Sequence, residues 1–229
     1  MNPSIGNQRW LRGLAAYRPP DEPIRTADYD VAPLTNETAA RAFVLAHHYS
    51  GTYPAARWRL GLFHRGTLQG VAVFSHPCND RVLTSIFPGQ ATDSVELGRF
   101  VLLDEVPGNG ETWMLGRCFH WLRREGLAGV VAFSDPCRRL NHFGETVFGG
   151  HIGTIYQAHN AVYLGRSTPR TLTLLPDGRT FSDRAQQKIR AADRGVRYSV
   201  QQLVQYGADP PSCFEPALLR HWLSEWKRR

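Results

Sequence analysis

Two apolar runs separated by a tight turn constrain this chain more than any other feature. Arg57 to Arg65, RWRLGLFHR, and Thr67 to His76, TLQGVAVFSH, meet at Arg65-Gly66. A glycine at so short a junction supplies the backbone conformation that a hairpin needs, so the pair reads as adjacent antiparallel strands. Leu60 and Leu62 on the first strand, with Leu68, Val71 and Val73 on the second, alternate well enough to cover one face of a sheet.

Helical and strand signals continue along the chain. Asn36 to His48 reads as a helix, with Thr35 or Asn36 as cap, Glu37 in the first turn, and Ala40, Phe43, Val44 and His47 at helical spacing; Gly51 is a suitable terminator. Val82 to Phe87 reads as a short strand. Glu96 to Val106 reads as another, carrying Glu96 and Arg99 where a buried strand would prefer aliphatics. A turn at Pro107 to Thr112 leads into a helix from Glu111 to Glu125, and Ala128 to Phe133 is a β-branched run of the kind buried in a mixed sheet. Ala161 to Leu164 reads as a last short strand. Beyond Gly165, Thr171 to Leu175 reads as a strand, Pro176-Asp177-Gly178 as a tight turn, and Ser182 to Ala192 as a helix capped by Ser182 and closed by Gly195. Ser199 caps a further helix from Val200 to Tyr206 that Gly207 ends, and Glu215 to Arg229 is an amphipathic helix bearing Trp222 and Trp226. The fold class is therefore α/β (α+β), a mixed central sheet flanked by helices. Residues 1–35 form a proline-rich arm, extended or added as a strand to the sheet edge, residues 36–165 the core, and residues 166–229 a basic C-terminal extension.

Composition narrows the partners. The hydrophobic fraction of 42% and charged fraction of 21% are those of a soluble globular protein, and no apolar run approaches the roughly 20 residues of a membrane helix. MNPSIGNQRW lacks the apolar stretch of a secretory leader, so the expected location is the cytoplasm. Cys78, Cys118, Cys137 and Cys213 form no CxxC pair, which indicates neither a zinc knuckle nor a disulfide framework. A net charge of +7 and a pI near 9.6 point to a polyanion. Only Lys188 and Lys227 are lysines; arginine supplies the rest, and its planar fork suits phosphate and guanine edges.

Several stretches carry chemistry. Gly149 to Gly165, GGHIGTIYQAHNAVYLG, crowds Thr154, Tyr156, Gln157, His159, Asn160 and Tyr163 into a glycine-rich segment that is either a pocket wall or a loop leading into a strand. His47 and His48 are adjacent, and side chains at neighbouring helix positions diverge by about 100°, so both cannot serve one metal on an intact helix. Ser134-Asp135 ends a central strand, where α/β proteins place reactive groups, or else caps a following helix. Gly108, Asn109, Gly110, Glu111 and Thr112 form a strand-turn-helix junction able to hold an anion, or a simple turn. Arg179, Arg184, Lys188, Arg190, Arg194 and Arg197 make a surface for a phosphate backbone, or a solvated charged face. Arg166 and Arg170 belong to the same basic run.

The order of elements matches the GNAT N-acyltransferase fold, and the chain more closely resembles the Mom family of phage DNA modification proteins, an outlying branch of that superfamily. The likeness spans about residues 40–210 and rests on HHYSG at 47–51, LGLF at 60–63, ELGRFVL at 96–102, PGNGET at 107–112, AFSD at 132–135, GHIGTIYQAHNAVYLG at 150–165 and DGRTFSDRAQQKIRAADRG at 177–195. The resemblance implies an enzyme that converts adenine N6 of phage DNA to a carbamoylmethyl (acetamido or glycinamide) adduct and so shields the genome from host restriction. Its partner would be double-stranded DNA with a flipped adenine. A homodimer is compatible with it.

On this resemblance Arg99 is expected to hold a carboxylate, phosphate or developing oxyanion, and Asp135 to orient or deprotonate the attacking amine. A plain salt bridge between the two across neighbouring strands is the alternative. Tyr49, Ser134 and Tyr156 follow as base-stacking or proton-transfer groups. PGNGET departs from the pyrophosphate loop of ordinary acetyltransferases, so the donor is acetyl coenzyme A or another activated acyl group such as a glycyl ester. Iron is an option for the family, with His48 and His151 as its candidate ligands. The rival readings are a GNAT acyltransferase acting on a small-molecule, protein or tRNA amine, and a DNA-binding protein without catalysis.

Overall fold

The hairpin sits at the middle of the main sheet. The computed structural model describes residues 7–11 and 14–18 by backbone and residues 22–169 and 171–228 in full; the Pro19-Pro20 part of the expected arm, Arg170 and Arg229 lie outside them. The chain divides into two compact units, residues 1–138 with 148–164 and residues 139–147 with 165–229.

In the first unit, β1 (Asn7–Leu11) pairs with β2 (Leu14–Arg18) in a separate hairpin. Then come β3 (Tyr29–Pro33), α1 (Glu37–His47), β4 (Ala56–His64), β5 (Thr67–Ser75), α2 (Arg81–Ile86), β6 (Ser94–Leu102), α3 (Gly110–Arg124) and β7 (Gly129–Val131). The five-stranded sheet has the order β3-β4-β5-β6-β7, antiparallel except for the parallel pair β6–β7. Part of the expected arm is thus the edge strand β3, paired with β4 from Tyr29↔His64 to Pro33↔Leu60. Arg65 (φ 47°) and Gly66 (φ 82°) both take the left-handed conformation of a tight hairpin turn.

Both faces of the sheet are covered. Leu60, Leu62, Ala72, Phe74, Val95 and Leu97 pack with Met114, Leu115, Cys118 and Leu122 of α3, whereas Val71 and Val73 pack with Ala40 and Val44 of α1. The expectation that Leu60, Leu62, Val71 and Val73 share one face is therefore corrected: the alternation of each strand runs through a sheet buried on two sides.

One irregularity matters for the site. Val73 pairs with Arg99 but Phe74 pairs with Leu97, which leaves Gly98 as an extra residue in β6. A bulge of this kind inverts the alternation beyond it. Val95 and Leu97 face α3 before the bulge, and Val101 faces α1 after it. Arg99 shares the parity of Val101 and is turned away from the apolar core beneath Leu97. Further, β7 pairs with β6 only through Ser94–Glu96, so β6 runs on from Leu97 without β7 beside it.

Two segments differ from expectation. Val82 to Phe87 lies mostly in α2 rather than a strand; the Asn79 side chain accepts from Arg81 N (3.1 Å), which starts a helical turn, and only Leu83 is buried. After β8 (Arg139–Leu140) and β9 (Thr146–Phe148) comes α4 (Thr154–Ala158), and Ala161 to Leu164 forms no strand. Asn160 turns the backbone with φ 56°, and Val162 and Tyr163 are 82% and 80% exposed with no neighbouring strand paired to them.

The second unit has its own core. It contains β10 (Thr173–Leu174) paired with β11 (Thr180–Phe181), α5 (Asp183–Ala191), α6 (Val196–Val204) and α7 (Pro216–Arg228). Leu175, Phe181, Ile189, Val200, Leu203, Leu219 and Leu223 are buried together, with Trp222 and Trp226 against them. Ser182 caps α5 as expected, its hydroxyl accepting from Ala185 N at 3.1 Å. The next boundary is corrected. Ala192 (φ 52°) ends α5, with Asp193 N bonding back to Lys188 O, and Gly195 (φ 85°) instead starts α6, so Ser199 lies buried inside that helix.

Candidate functional site

Helix α1 delivers the first site residues. The Asn36 side chain caps it by accepting from Ala39 N (3.2 Å), and it stops at His47 because His48 takes an extended conformation (φ −83°, ψ 134°). That change separates the two histidines. His47 stays with Phe43, ring centroids 4.7 Å apart, while His48 turns toward Tyr49. Ser50 N donates to His48 Nδ1 (3.1 Å), so the neutral ring carries its proton on Nε2. Burial, then the charge of Arg99, then His151 hold His48 well below the usual histidine range.

Tyr49 is clamped on both faces. Its ring stacks on His48 at 4.3 Å and on the buried Phe148 at 4.4 Å, and its hydroxyl lies 3.4 Å from His151 Nε2. With both faces covered it cannot also stack on a base, and the hydroxyl is what it can offer. Phe148 escaped the sequence reading; an aromatic beside Gly149-Gly150 was its only signal.

Arg99 is fastened to the segment after α1. Its Nε donates to Thr52 O (3.0 Å), one terminal nitrogen to Thr52 Oγ1 (2.6 Å) and the other to Gly98 O. Three of the five guanidinium N–H groups are used in this way, and the remaining two can meet a ligand. Burial lowers its basicity, which Tyr49, Glu96 and Cys78 oppose. The hydrogen bonds that fix the guanidinium thus go to Thr52 and Gly98 and not to Asp135. Thr52, which lies 47 positions from Arg99, carried no sequence signal.

Residues 134–137 lie against 150–153. The Asp135 carbonyl accepts from His151 N (2.8 Å), and its Oδ1 accepts from Cys137 N (3.1 Å), so the carboxylate caps a local turn and no helix follows. Gly150 (φ 80°) comes so close to Pro136 that a Cβ there would meet Pro136 O at 2.4 Å. Gly153 likewise admits Tyr156, whose Cδ2 would lie 2.8 Å from a Cβ, with Ser134 Cβ at 3.4 Å. Burial raises the Tyr156 hydroxyl far above its ordinary pKa, and Tyr49 and Glu96 add to it, so it stays protonated and can donate. His48 and Tyr49 thus lie within electrostatic reach of Arg99, Tyr49 reaches His151, and residues 134–137 lie against the segment that carries His151 and Tyr156, all within the first unit.

The PGNGET turn is engaged elsewhere. Asn109 Oδ1 accepts from Ile24 N (2.6 Å), Thr112 Oγ1 donates to Asn109 O (3.1 Å), and His159 Nε2 donates to Thr112 O (2.5 Å). Gly108, Gly110 and Glu111 are buried. Glu111 lies in the first turn of α3, at the positive end of the helix. Among the described residues no three His, Cys, Asp or Glu side chains gather to hold a metal ion.

The second unit holds most of the charge. It contains thirteen Lys and Arg against seven Asp and Glu, a net +6 of the chain's +7. Arg179, Arg184, Arg190, Arg194 and Arg197 are exposed, and Lys188 is half-buried. Arg184 pairs with Asp193 (3.4 Å), Arg179 with Asp177 (3.5 Å), and Arg197 lies over the Phe214 ring. Such exposed pairs are worth about 1 kcal/mol or less and exchange readily for phosphate. Among the described residues no helix is long and apolar enough to cross a membrane.

A mixed α/β unit that brings tyrosine, histidine and arginine within reach of one another, in a chain with a strongly basic second unit, has the makeup of an enzyme acting on a polyanion. Residues 28–210 match the Mom protein family, and the chain belongs to that family. Membership makes it a bacteriophage DNA-modification protein, as the resemblance implied. No curated protein matches it.

Proposed function

We propose that this chain transfers an activated glycyl group to the exocyclic N6 of adenine in duplex DNA by GNAT-like acyl-group chemistry, N6 losing a proton as it displaces the donor's leaving group, and that the resulting glycyl amide rearranges to the isomeric carbamoylmethyl adduct that shields the DNA from restriction. The observation that carries the reading is Arg99, turned out of the core by the Gly98 bulge and held by Thr52 with two N–H groups to spare, within electrostatic reach of Tyr49. In this reading Arg99 neutralises the developing oxyanion or the donor's carboxylate. Tyr156, protonated, donates to the same ligand. The Tyr49 hydroxyl and His151 move the proton lost from N6, and Asp135 fixes His151 through its carbonyl and orients the amine with its carboxylate.

Adenine N6 is delocalised into its ring and sits inside the duplex, so the base must be extruded before it can react. The buried Glu111 and the engaged Asn109 favour an activated acyl or glycyl donor other than acetyl coenzyme A, and no step is assigned to a metal. The test is nucleoside mass spectrometry on plasmid DNA from cells expressing the chain. A deoxyadenosine with one glycinamide-sized addition, absent with Arg99→Ala or Asp135→Ala, is expected. Full modification by the Arg99→Ala, Asp135→Ala double variant would overturn the reading. Unmodified DNA alongside a modified tRNA nucleoside would move the activity to the tRNA amine.

A further inference from the structure

In the second unit Phe143 is exposed on a well-fastened turn. Strands β8 and β9 form a two-stranded sheet joined by Asn141 to Glu145. Asn141 organises that turn: its Oδ1 accepts from Phe143 N (3.0 Å) and Glu145 N (2.9 Å), its Nδ2 donates to Glu145 Oε2 (2.8 Å), and its backbone N–H donates to Glu145 O (2.9 Å). Gly144 N closes back on Asn141 O (3.0 Å), with φ 80°. His142 is anchored separately, donating through both its backbone N–H and Nδ1 to the Pro176 carbonyl, each at 2.9 Å. The hairpin also packs on the Pro176-Asp177-Gly178 turn, where a Cβ at Gly178 would meet Val147 Cγ2 at 2.1 Å and Leu140 O at 3.0 Å. At the tip of this rigid assembly Phe143 is 76% exposed, its ring 3.7 Å from that of His142.

A lone exposed phenylalanine is ordinary on a flexible loop. Here the bonds of Asn141 and His142 fix the turn that holds the ring out in water, and the unit that carries it holds +6 of the chain's +7 charge. Apolar wedges inserted between base steps are one way that proteins deform duplex DNA, and extruding a base leaves a hole that must be filled or collapse. We infer that Phe143 is a DNA wedge: the turn carries its ring into the base stack, where it parts two adjacent base pairs. This rests on the adenine-modification reading.

Insertion of a ring between base pairs unwinds the duplex, which can be read without knowing the donor or the target sequence. The full chain is incubated with relaxed closed-circular plasmid and a type I topoisomerase, then removed, and the linking number is measured; occupancy is measured by anisotropy on a labelled duplex. The wild-type chain is expected to lower the linking number in proportion to bound protein, Phe143→Trp to retain the shift, and Phe143→Ala to lose it at equal occupancy and unchanged thermal midpoint. An equal shift with Phe143→Ala overturns the wedge, as does duplex binding by the wild type without any shift, while leaving the adenine reading intact. Failure of the wild type to bind duplex DNA removes the adenine reading and the wedge with it.

Discussion

Thr52 receives Arg99 twice, on its carbonyl at 3.0 Å and on its hydroxyl at 2.6 Å, and so ties the strand that carries the charge to the loop that follows α1. Thr52→Val keeps the shape and the carbonyl but removes the hydroxyl. The loss should cost about 1–3 kcal/mol, because a partly buried charged donor loses its acceptor. Adduct formation should fall with it, whereas Thr52→Ser should restore both. Urea unfolding and nucleoside mass spectrometry on the same preparations would check this; equal stability of the Val variant would mean that the hydroxyl does not hold Arg99.

A second prediction concerns the bulge. A Cβ at Gly98 would lie 2.3 Å from Ser75 Oγ and 3.3 Å from Ser75 Cβ. Ser75 is 1% exposed and cannot move into solvent. Gly98→Ala should destabilise by roughly 1–3 kcal/mol, the usual cost of overpacking. Combining it with Ser75→Gly removes both contacts, so the double variant should lose less than the sum of the singles. Strict additivity in urea midpoints would argue against the clash.

The depressed pKa of His48 sets a pH dependence of stability. The folded state keeps this ring neutral, whereas the unfolded chain takes up a proton near the ordinary value of 6.5. Its contribution is therefore fully present above about 6.5 and declines as pH falls toward the lowered folded pKa, with a slope of at most about 1.4 kcal/mol per pH unit. Replacing it by Gln should flatten the stability profile between about pH 7 and pH 5. A variant that loses stability in this window as steeply as the wild type would contradict the assignment.

The basic second unit makes a quantitative claim on salt dependence. Each phosphate contact that is lost lowers the slope of log K against log salt by about 0.9. Arg190→Ala and Arg194→Ala together should reduce it by about 2 if both side chains touch the backbone. Anisotropy across a salt series would show this, and an unchanged slope would place the DNA on another face.

The parts of the fold that were legible in the sequence are those decided locally. The central hairpin needed only Arg65-Gly66 and the runs beside it, and α1, α3 and α7 only apolar spacing and caps. Register was hidden. The bulge at Gly98 exists because Phe74 meets Leu97 across the sheet, and nothing within β6 announces it. Ala161 to Leu164 has strand-like side chains but lacks a partner edge, and a strand is made by its neighbour as much as by its own residues. Gly195 suits the end of one helix as well as the start of the next, and it starts α6. In the candidate site, Arg99 stands out as a charge on an apolar strand and Asp135 as one at the end of another, and Tyr49 and Tyr156 come with the family resemblance, whereas Thr52 and Phe148 acquire meaning only from residues far along the chain.

The second unit is discontinuous: residues 139–147 belong to it, residues 148–164 do not, and it resumes at Gly165. No single cut in the gene separates the two units. A truncation at Gly165 strands a nine-residue hairpin without the turn at 176–178 on which it packs, and during synthesis that hairpin leaves the ribosome before its partner does. Isolating the basic unit requires a graft of the hairpin onto residues 165–229, so deletion series read as domain mapping will instead report a broken one.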